Sequence, residues 1–118
     1  MLLVLESDGR LRRAKLEDYM EAVYALVNLI PLGFVSSYGD IARLLGVSPR
    51  LVGFILSLNE NLIVTPCHRI VRADGGLGGY SSPGGVLFKR RLLELEGVSF
   101  DNGRVSRGYF VSLSKLLG

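Results

Sequence analysis

The sequence predicts a mostly α-helical domain with short strands, built around a helix-turn-helix and ending in a small hairpin. Apolar residues recur at three-and-four spacing in the first third of the chain, which is typical of an amphipathic helix. Serine, glycine and Ser-Pro positions then divide residues 36–58 into two short helices. An Asn-Gly pair between alternating residues near the C-terminus predicts a hairpin turn. The 118 residues suit one domain.

The first helix is predicted over residues 16–30, ending before Pro31-Leu32-Gly33. Its apolar positions all fall on one face, so we expect a core helix. They are Leu16, Tyr19, Met20, Val23, Leu26, Val27 and Ile30.

Two short helices follow across a tight turn. A serine cap opens the first, Gly46 closes it in a position suited to a left-handed residue, and Ser48 with Pro49 opens the second. This arrangement predicts a helix-turn-helix. In the second helix, residues 49–58, we expect one apolar stripe to face the core, formed by Leu51, Phe54, Ile55 and Leu58.

The opposite face of this second helix carries Arg50, Gly53 and Ser57. A helix that reads base edges in the major groove carries several long polar side chains, which are absent here. Small residues instead favour close approach to the narrower minor groove. The alternative is that the glycine and serine pack against another helix.

Further elements are predicted from local pattern. Residues 62–65 and 70–71 are expected to form short extended segments, the first of them buried, and residues 74–85 a glycine-rich loop without regular structure. A helix is expected over residues 89–95, stopped by Gly97, and a hairpin over residues 98–106.

Composition limits the function classes. The net charge is +3, but residues 41–91 contain seven basic side chains against two acidic ones, a field that attracts phosphate backbones. No apolar run approaches the roughly 18–20 residues of a membrane span, and no signal peptide is recognisable, so we expect a soluble cytoplasmic protein. One cysteine and one histidine cannot complete a four-ligand zinc site, so neither metal nor cofactor is expected.

The single cysteine and the single histidine are adjacent, as Cys67 and His68 in Pro-Cys-His-Arg-Ile. The pair is a candidate nucleophile and base, the alternative being a buried cysteine beside a surface histidine. A reactive cysteine must be a thiolate, whereas the ordinary thiol pKa is about 8.5. Because neighbours in an extended chain point to opposite faces, we expect a water to bridge the two side chains.

The helix-turn-helix, the Pro-Cys-His-Arg element, the Gly-Tyr-Ser loop and the Leu-Glu-Gly that follows resemble the DNA-binding and active-site domain of the O6-alkylguanine-DNA alkyltransferases, from about Tyr19 to Gly97. The resemblance implies a winged-helix-like domain over residues 1–118, with a short arm at 1–15 and without the family's usual N-terminal domain. It implies a monomer that binds double-stranded DNA through the minor groove. It also implies irreversible transfer of the alkyl group from O6-alkylguanine, and from O4-alkylthymine, to the protein's cysteine after base flipping.

The resemblance assigns Cys67 as the alkyl acceptor and His68 as its base, acting through a water and held by a glutamate. Counting through the loop, which is longer here than in the family, places that glutamate at Glu96 rather than Glu94. Asn59 occupies the family's bracing asparagine position by spacing, with Asn61 a near rival. Tyr38 corresponds to the tyrosine that assists nucleotide rotation.

The outer face of the second helix and the resemblance together give the remaining expected site residues. Arg50 corresponds to the finger that replaces the extruded base, and the expected DNA-contacting set is Arg50, Tyr38, Gly53, Ser57 and Arg69. The expected guanine pocket comprises Tyr80, Ser81, Ile70 and Lys89.

Three other readings compete with repair. The first is an alkyltransferase-like protein that binds alkylguanine without removing the group; in such proteins the cysteine is typically replaced, so Cys67 argues against it. The second is a helix-turn-helix regulator, which the bare outer face of the second helix disfavours. The third is a Cys-His hydrolase, which needs a base across the site rather than next in sequence.

Overall fold

The computed structural model describes residues 2–60, 64–80 and 84–118. Its helices are α1 (Leu16–Asn28), α2 (Tyr38–Leu45), α3 (Pro49–Ser57), α4 (Gly85–Leu95) and α5 (Leu113–Leu117). Its strands are β1 (Leu3–Leu5), β2 (Leu11–Arg13), β3 (Ser36–Ser37), β4 (Ile70–Val71), β5 (Phe100–Asp101) and β6 (Arg104–Val105). The mostly helical fold with short strands agrees with the sequence prediction.

The helix-turn-helix is capped as the sequence predicts. The Ser37 side chain accepts a hydrogen bond from the Asp40 backbone and opens α2. Gly46 ends α2 at φ 69°, a left-handed conformation that favours glycine. The Ser48 side chain then accepts a hydrogen bond from the Leu51 backbone to open α3, with Pro49 at its first position. These caps fix the angle at which α3 leaves α2.

The predicted apolar stripe of α3 is wrong in phase. The buried residues are Val52, Ile55 and Leu56, whereas Phe54 is 52% exposed and Leu58 is also exposed. The reason is that α3 packs against both α1 and α2, so its core face is rotated from the simple apolar stripe. The face around Gly53 is thereby left open to a cavity.

A two-residue parallel pairing brings the Cys-His segment to the helix-turn-helix. Ser36 and Ser37 of β3, just before α2, pair with Ile70 and Val71 of β4. The predicted strand at 70–71 is therefore confirmed. The predicted segment at 62–65 lies partly outside the described residues, and Val64 is in a turn and 80% exposed, so it is not buried as expected.

Hairpins lie near both ends of the chain, although α5 follows the second one, so the domain does not end in a hairpin as expected. β5 and β6 pair across Asn102 and Gly103, which both have positive φ, so the Asn-Gly prediction is confirmed. At the other end, β1 and β2 pair with each other, so the residues expected to form an arm are a hairpin, and Arg12 is bound to Glu6 and Asp18. No helix in the described ranges is long and apolar enough to cross a membrane.

The predicted helix at 89–95 is present but begins earlier, at Gly85. It packs with the C-terminal hairpin and with β4 around a small second core, formed by Val35, Val71, Leu93, Val98 and Val105. This core anchors the C-terminal end of α4, where Glu96 follows the helix.

Candidate active site

A cavity of about 750 Å³ opens between α2, α3 and the loop that follows β4. Its volume is within the range of small-molecule sites, about 300–1,000 Å³. The walls carry the backbone and small side chains of α3 on one side and a glycine-rich segment on the other. The lining residues are Tyr38, Gly39, Pro49, Arg50, Gly53, Leu56, Ser57, Cys67, Arg72, Ala73, Gly78, Gly79 and Tyr80.

Cys67 contributes its side chain to the floor of this cavity and is only 4% exposed. Asn59, just beyond α3, donates from Nδ2 to Cys67 Sγ at 2.9 Å and to the Thr65 carbonyl at 3.1 Å. Burial raises the pKa of the Cys67 thiol, while the hydrogen bond from Asn59 and the nearby charge of Lys89 offset part of that rise. The sulfur is thus held neutral at rest, with a donor already placed to stabilise a thiolate.

The expectation that Cys67 and His68 lie in an extended segment is wrong, so the reason given for a water between them does not hold. Residues Cys67–Arg69 form one turn of 3₁₀ helix. His68 is 1% exposed, its Nε2 lies 2.9 Å from Glu96 Oε2, and its buried Nδ1 has no hydrogen-bond partner among the described residues. Burial lowers the pKa of His68, although the bond to Glu96 opposes the change. A neutral ring that donates Nε2–H to Glu96 leaves Nδ1 as the atom that can accept a proton.

Glu96 joins His68 to Arg69. Arg69 donates from Nε to Glu96 Oε1 at 3.0 Å and from Nη2 to Oε2 at 2.9 Å, and from Nη1 to the Ile30 carbonyl at 2.9 Å. Partial burial acts to raise the pKa of Glu96, but the bonds from Arg69 and His68 hold it below its usual value. Glu96, not Glu94, therefore faces the histidine.

Arg69 was expected to contact DNA, and the structure places it elsewhere. Its side chain is 15% exposed, and its guanidinium is bound to Glu96 and to a backbone carbonyl. An arginine paired in this way is a bracing group for the Glu96 carboxylate.

Lys89 is a buried amine behind the cavity wall. It is 1% exposed, and its Nζ donates to the Leu77 carbonyl at 2.5 Å, the Gly79 carbonyl at 3.2 Å and Tyr38 Oη at 3.4 Å. Burial lowers its pKa to about 7. Lys89 therefore links the segment containing Leu77 and Gly79 to Tyr38 in the first turn of α2. Lys89 does not itself line the cavity.

The other expected pocket residues have mixed placements. Tyr80 lines the cavity, and its buried Oη has no partner among the described residues. Ser81 lies outside the described residues. Ile70 is wrong as a pocket residue, because this residue of β4 is fully buried in the main core and is not part of the cavity wall.

Arg72 lines the cavity, although it is not among the expected site residues. It follows β4 directly, and the parallel pairing of β4 with β3 brings this part of the chain next to the start of α2. In the sequence, Arg72 is marked only as one of the seven basic residues of 41–91. Arg69 belongs to the same set, so the charge pattern cannot tell the two apart.

Comparisons with known protein sequences match the family that the motifs of this chain resemble. The family described as "6-O-methylguanine DNA methyltransferase, DNA binding domain" matches residues 18–98. A methylated-DNA–protein-cysteine methyltransferase of Metallosphaera sedula is 49% identical over 85 residues, covering 72% of this chain and 53% of that protein. One of Methanothermobacter thermautotrophicus is 45% identical over 84 residues, covering 71% and 47%. The chain spans about half the length of these curated relatives.

Solved structures share the fold. Mycobacterium tuberculosis OGT in complex with DNA has a TM-score of 0.62 at 41% identity, covering 71% of this chain and 51% of that one. S. pombe Atl1, in complex with damaged DNA containing O6-carboxymethylguanine, has a TM-score of 0.71 at 28% identity, covering 83% and 98%. The geometry around Cys67 and these matches together identify the chain as a member of the 6-O-methylguanine DNA methyltransferase family, through that family's DNA-binding domain.

Proposed function

We propose that this protein repairs O6-alkylguanine in double-stranded DNA by moving the alkyl group to its own cysteine, once per molecule. The observation that carries the proposal is the position of Cys67, whose side chain lines a cavity of base-accommodating size and whose Sγ accepts a hydrogen bond from Asn59 at 2.9 Å. A catalytic cysteine needs access to its substrate and a group that stabilises the thiolate, and both are present.

The damaged nucleotide must leave the duplex to reach this sulfur, because the O6 substituent is out of reach in stacked DNA. Flipping costs a few kcal/mol. Arg50, exposed in the first turn of α3 and lining the cavity, is the residue we assign to the vacated space, where it would offset part of that cost. Gly53 and Ser57 on the same face let α3 come close to the minor groove.

The transfer is balanced without a cofactor. The Cys67 thiolate attacks the alkyl carbon, a carbon–sulfur bond forms, and the carbon–O6 bond breaks with its electron pair passing to guanine. Guanine takes up one proton, equal in number to the proton that the thiol gave up. The products are unmodified guanine and a stable thioether, which explains why one molecule reacts once.

His68 is the proposed acceptor of the thiol proton. Its Nδ1 is buried and has no partner in the described part of the chain, while Glu96 holds Nε2 at 2.9 Å. The carboxylate stabilises the imidazolium that forms and keeps the ring in one tautomer, which is the role of an orienting acid in such pairs. Tyr80 Oη, also buried and unpartnered among the described residues, is available to the incoming base.

Lesion binding without repair is the second candidate function. It is favoured by one observation, the match to S. pombe Atl1 over 98% of that protein's chain. Against it stands the placement of Cys67 in the cavity wall beside Asn59 and the His68–Glu96 pair.

Intact mass separates the two functions. The full chain is incubated with an excess of a duplex carrying one O6-methylguanine, then weighed and digested to locate the change. We expect the mass to rise by one methylene, on Cys67, with no gain from a duplex containing guanine. Tight binding without any mass gain would establish lesion recognition instead and overturn the repair proposal.

Replacement of Gly78 by alanine is expected to slow transfer about ten- to a hundredfold, the typical cost of a small misplacement in a site. Gly78 has φ +70°, and a Cβ there would lie 2.7 Å from Tyr38 Oη. Gly79→Ala is the matched control, because a Cβ at Gly79 meets nothing within 4 Å. Single-turnover rates on the methylated duplex measure both variants, and equal rates for the two would show that contact between residue 78 and Tyr38 is unimportant.

A further inference from the structure

A second groove, of about 530 Å³, borders the start of α2, next to residues that line the cavity. It is formed by β3 and the first turns of α2 on one wall and by the C-terminal segment on the other. Its lining residues are Ser36, Ser37, Asp40, Arg43, Arg107, Phe110, Val111, Ser112, Lys115 and Leu116. The second wall lies beyond residues 18–98, the part of the chain that matches the family.

Three cations surround this groove. Arg43 has a side chain that is 78% exposed, and Arg107 and Lys115 are also exposed. Neither Arg107 nor Lys115 has an ion-pair partner within the described ranges, although Arg107 stacks at 5.6 Å over the Phe110 ring. These two charges are therefore available to an external anion.

The one acidic residue in the groove is already bonded within the protein. Asp40 Oδ2 accepts hydrogen bonds from Ser36 Oγ at 3.0 Å and from the Leu113 backbone at 2.9 Å. Its other oxygen, Oδ1, accepts from Arg43 Nη2 at 3.2 Å. Because Asp40 is only 8% exposed, its carboxylate holds the C-terminal segment against α2 and presents little negative charge to the groove.

The groove and the cavity are neighbours along one helix. Tyr38 and Gly39 of α2 line the cavity, and Asp40 and Arg43 of the same helix line the groove. The cavity is lined by Arg50 and Arg72, so both neighbouring concavities carry basic side chains. Cations spread over two neighbouring concave surfaces match a strand of phosphates better than a single small anion.

We propose that this groove binds the DNA backbone beside the flipped nucleotide, with Arg107 and Lys115 contacting phosphates of the same duplex whose damaged base enters the cavity. The proposal rests on the proposed repair function and extends it to the C-terminal segment. Contacts of this type position the protein on DNA and carry no sequence information.

The salt dependence of DNA binding tests this assignment. Affinity is measured for a lesion-free duplex and for an O6-methylguanine duplex over a range of salt, for the wild-type chain and for Arg107→Ala/Lys115→Ala. Each lost phosphate contact lowers the slope of log affinity against log salt by about 0.9, so the double variant should lose about 2. Its rate with free O6-benzylguanine base should equal that of the wild type, since no cavity residue changes.

Arg91→Ala/Arg104→Ala is the matched control, because it also removes two exposed charges, here from α4 and β6, outside both concavities. The control should keep the wild-type slope. A slope in the groove variant that equals that of the wild type or the control would overturn the groove assignment. Failure of the repair function is recognised separately, as a wild-type chain that gains no methyl group from the lesion duplex.

Discussion

Cys67→Ala is expected to abolish methyl uptake from an O6-methylguanine duplex while leaving the affinity for that duplex within about threefold of the wild type. The sulfur is the only thiol in the chain and lines the cavity, so its removal deletes the alkyl acceptor. Binding energy comes mainly from phosphate contacts and from the residues around the base, which this change leaves intact. Intact mass and fluorescence anisotropy with the same duplex give the two readouts.

Cys67→Ser provides the stringent control for this variant. A serine hydroxyl keeps a polar atom within reach of Asn59, whose Nδ2 also donates to the Thr65 carbonyl at 3.1 Å, so the floor of the cavity is preserved. A hydroxyl loses its proton far less readily than a thiol, and we expect no transfer from it either. If either variant still gained a methyl group, the acceptor would have to be another side chain.

The helix-turn-helix shows what local sequence determines. Ser37, Gly46 and Ser48 act through hydrogen bonds and backbone conformations within their own turns, so their effect can be predicted without knowledge of the rest of the fold. The Asn102-Gly103 turn belongs to the same class, because positive φ at both positions is a local preference.

The rotation of α3 shows what local pattern misses. Leu51, Phe54, Ile55 and Leu58 form the more obvious apolar stripe, yet the helix buries Val52, Ile55 and Leu56. Contact with α1 and α2 together sets that face, and these contacts depend on tertiary packing. The same orientation of the helix leaves Phe54 exposed and places Gly53 at the cavity.

Arg69 and Arg72 show the same limit within the site. Both are arginines close to Cys67 in sequence, and Arg69, the nearer one, is the expected DNA contact. The 3₁₀ turn at Cys67–Arg69 directs Arg69 to Glu96, whereas pairing of β4 with β3 leaves Arg72 at the cavity. Two arginines only three positions apart thus differ in their contacts: Arg69 is bonded to Glu96, and Arg72 lines the cavity.

Lys89 shows the limit most clearly, because no sequence pattern marks a lysine within a helix as buried. Its amino group is enclosed by the carbonyls of Leu77 and Gly79 and by Tyr38, and the titratable groups that influence it are Cys67 and Arg72. Desolvation dominates and lowers its pKa to about 7. An unfolded lysine keeps a pKa of about 10.4, so the two states bind different numbers of protons between these values.

The sign of the resulting pH dependence follows from that difference. Between about pH 7 and pH 10 the unfolded chain keeps a proton on Lys89 that the folded chain has released, so the free energy of unfolding increases as pH rises. From pH 7 to 8.5 the expected gain is about 1.5 kcal/mol. Above this range the raised pKa of Cys67 acts in the opposite direction, because the unfolded thiol ionises first.

Urea unfolding at pH 7.0, 7.5, 8.0 and 8.5 measures this gain, with Lys89→Met as the matched variant. Methionine keeps an unbranched stem in the same space and cannot titrate, so its pH dependence reports every other group in the chain. The wild-type free energy of unfolding should rise by about 1.5 kcal/mol more than that of Lys89→Met across this interval. If the free energies of unfolding of the two proteins changed in parallel with pH, Lys89 would remain charged in the folded state. Its carbonyl contacts would then bind an ammonium ion from pH 7.0 to 8.5.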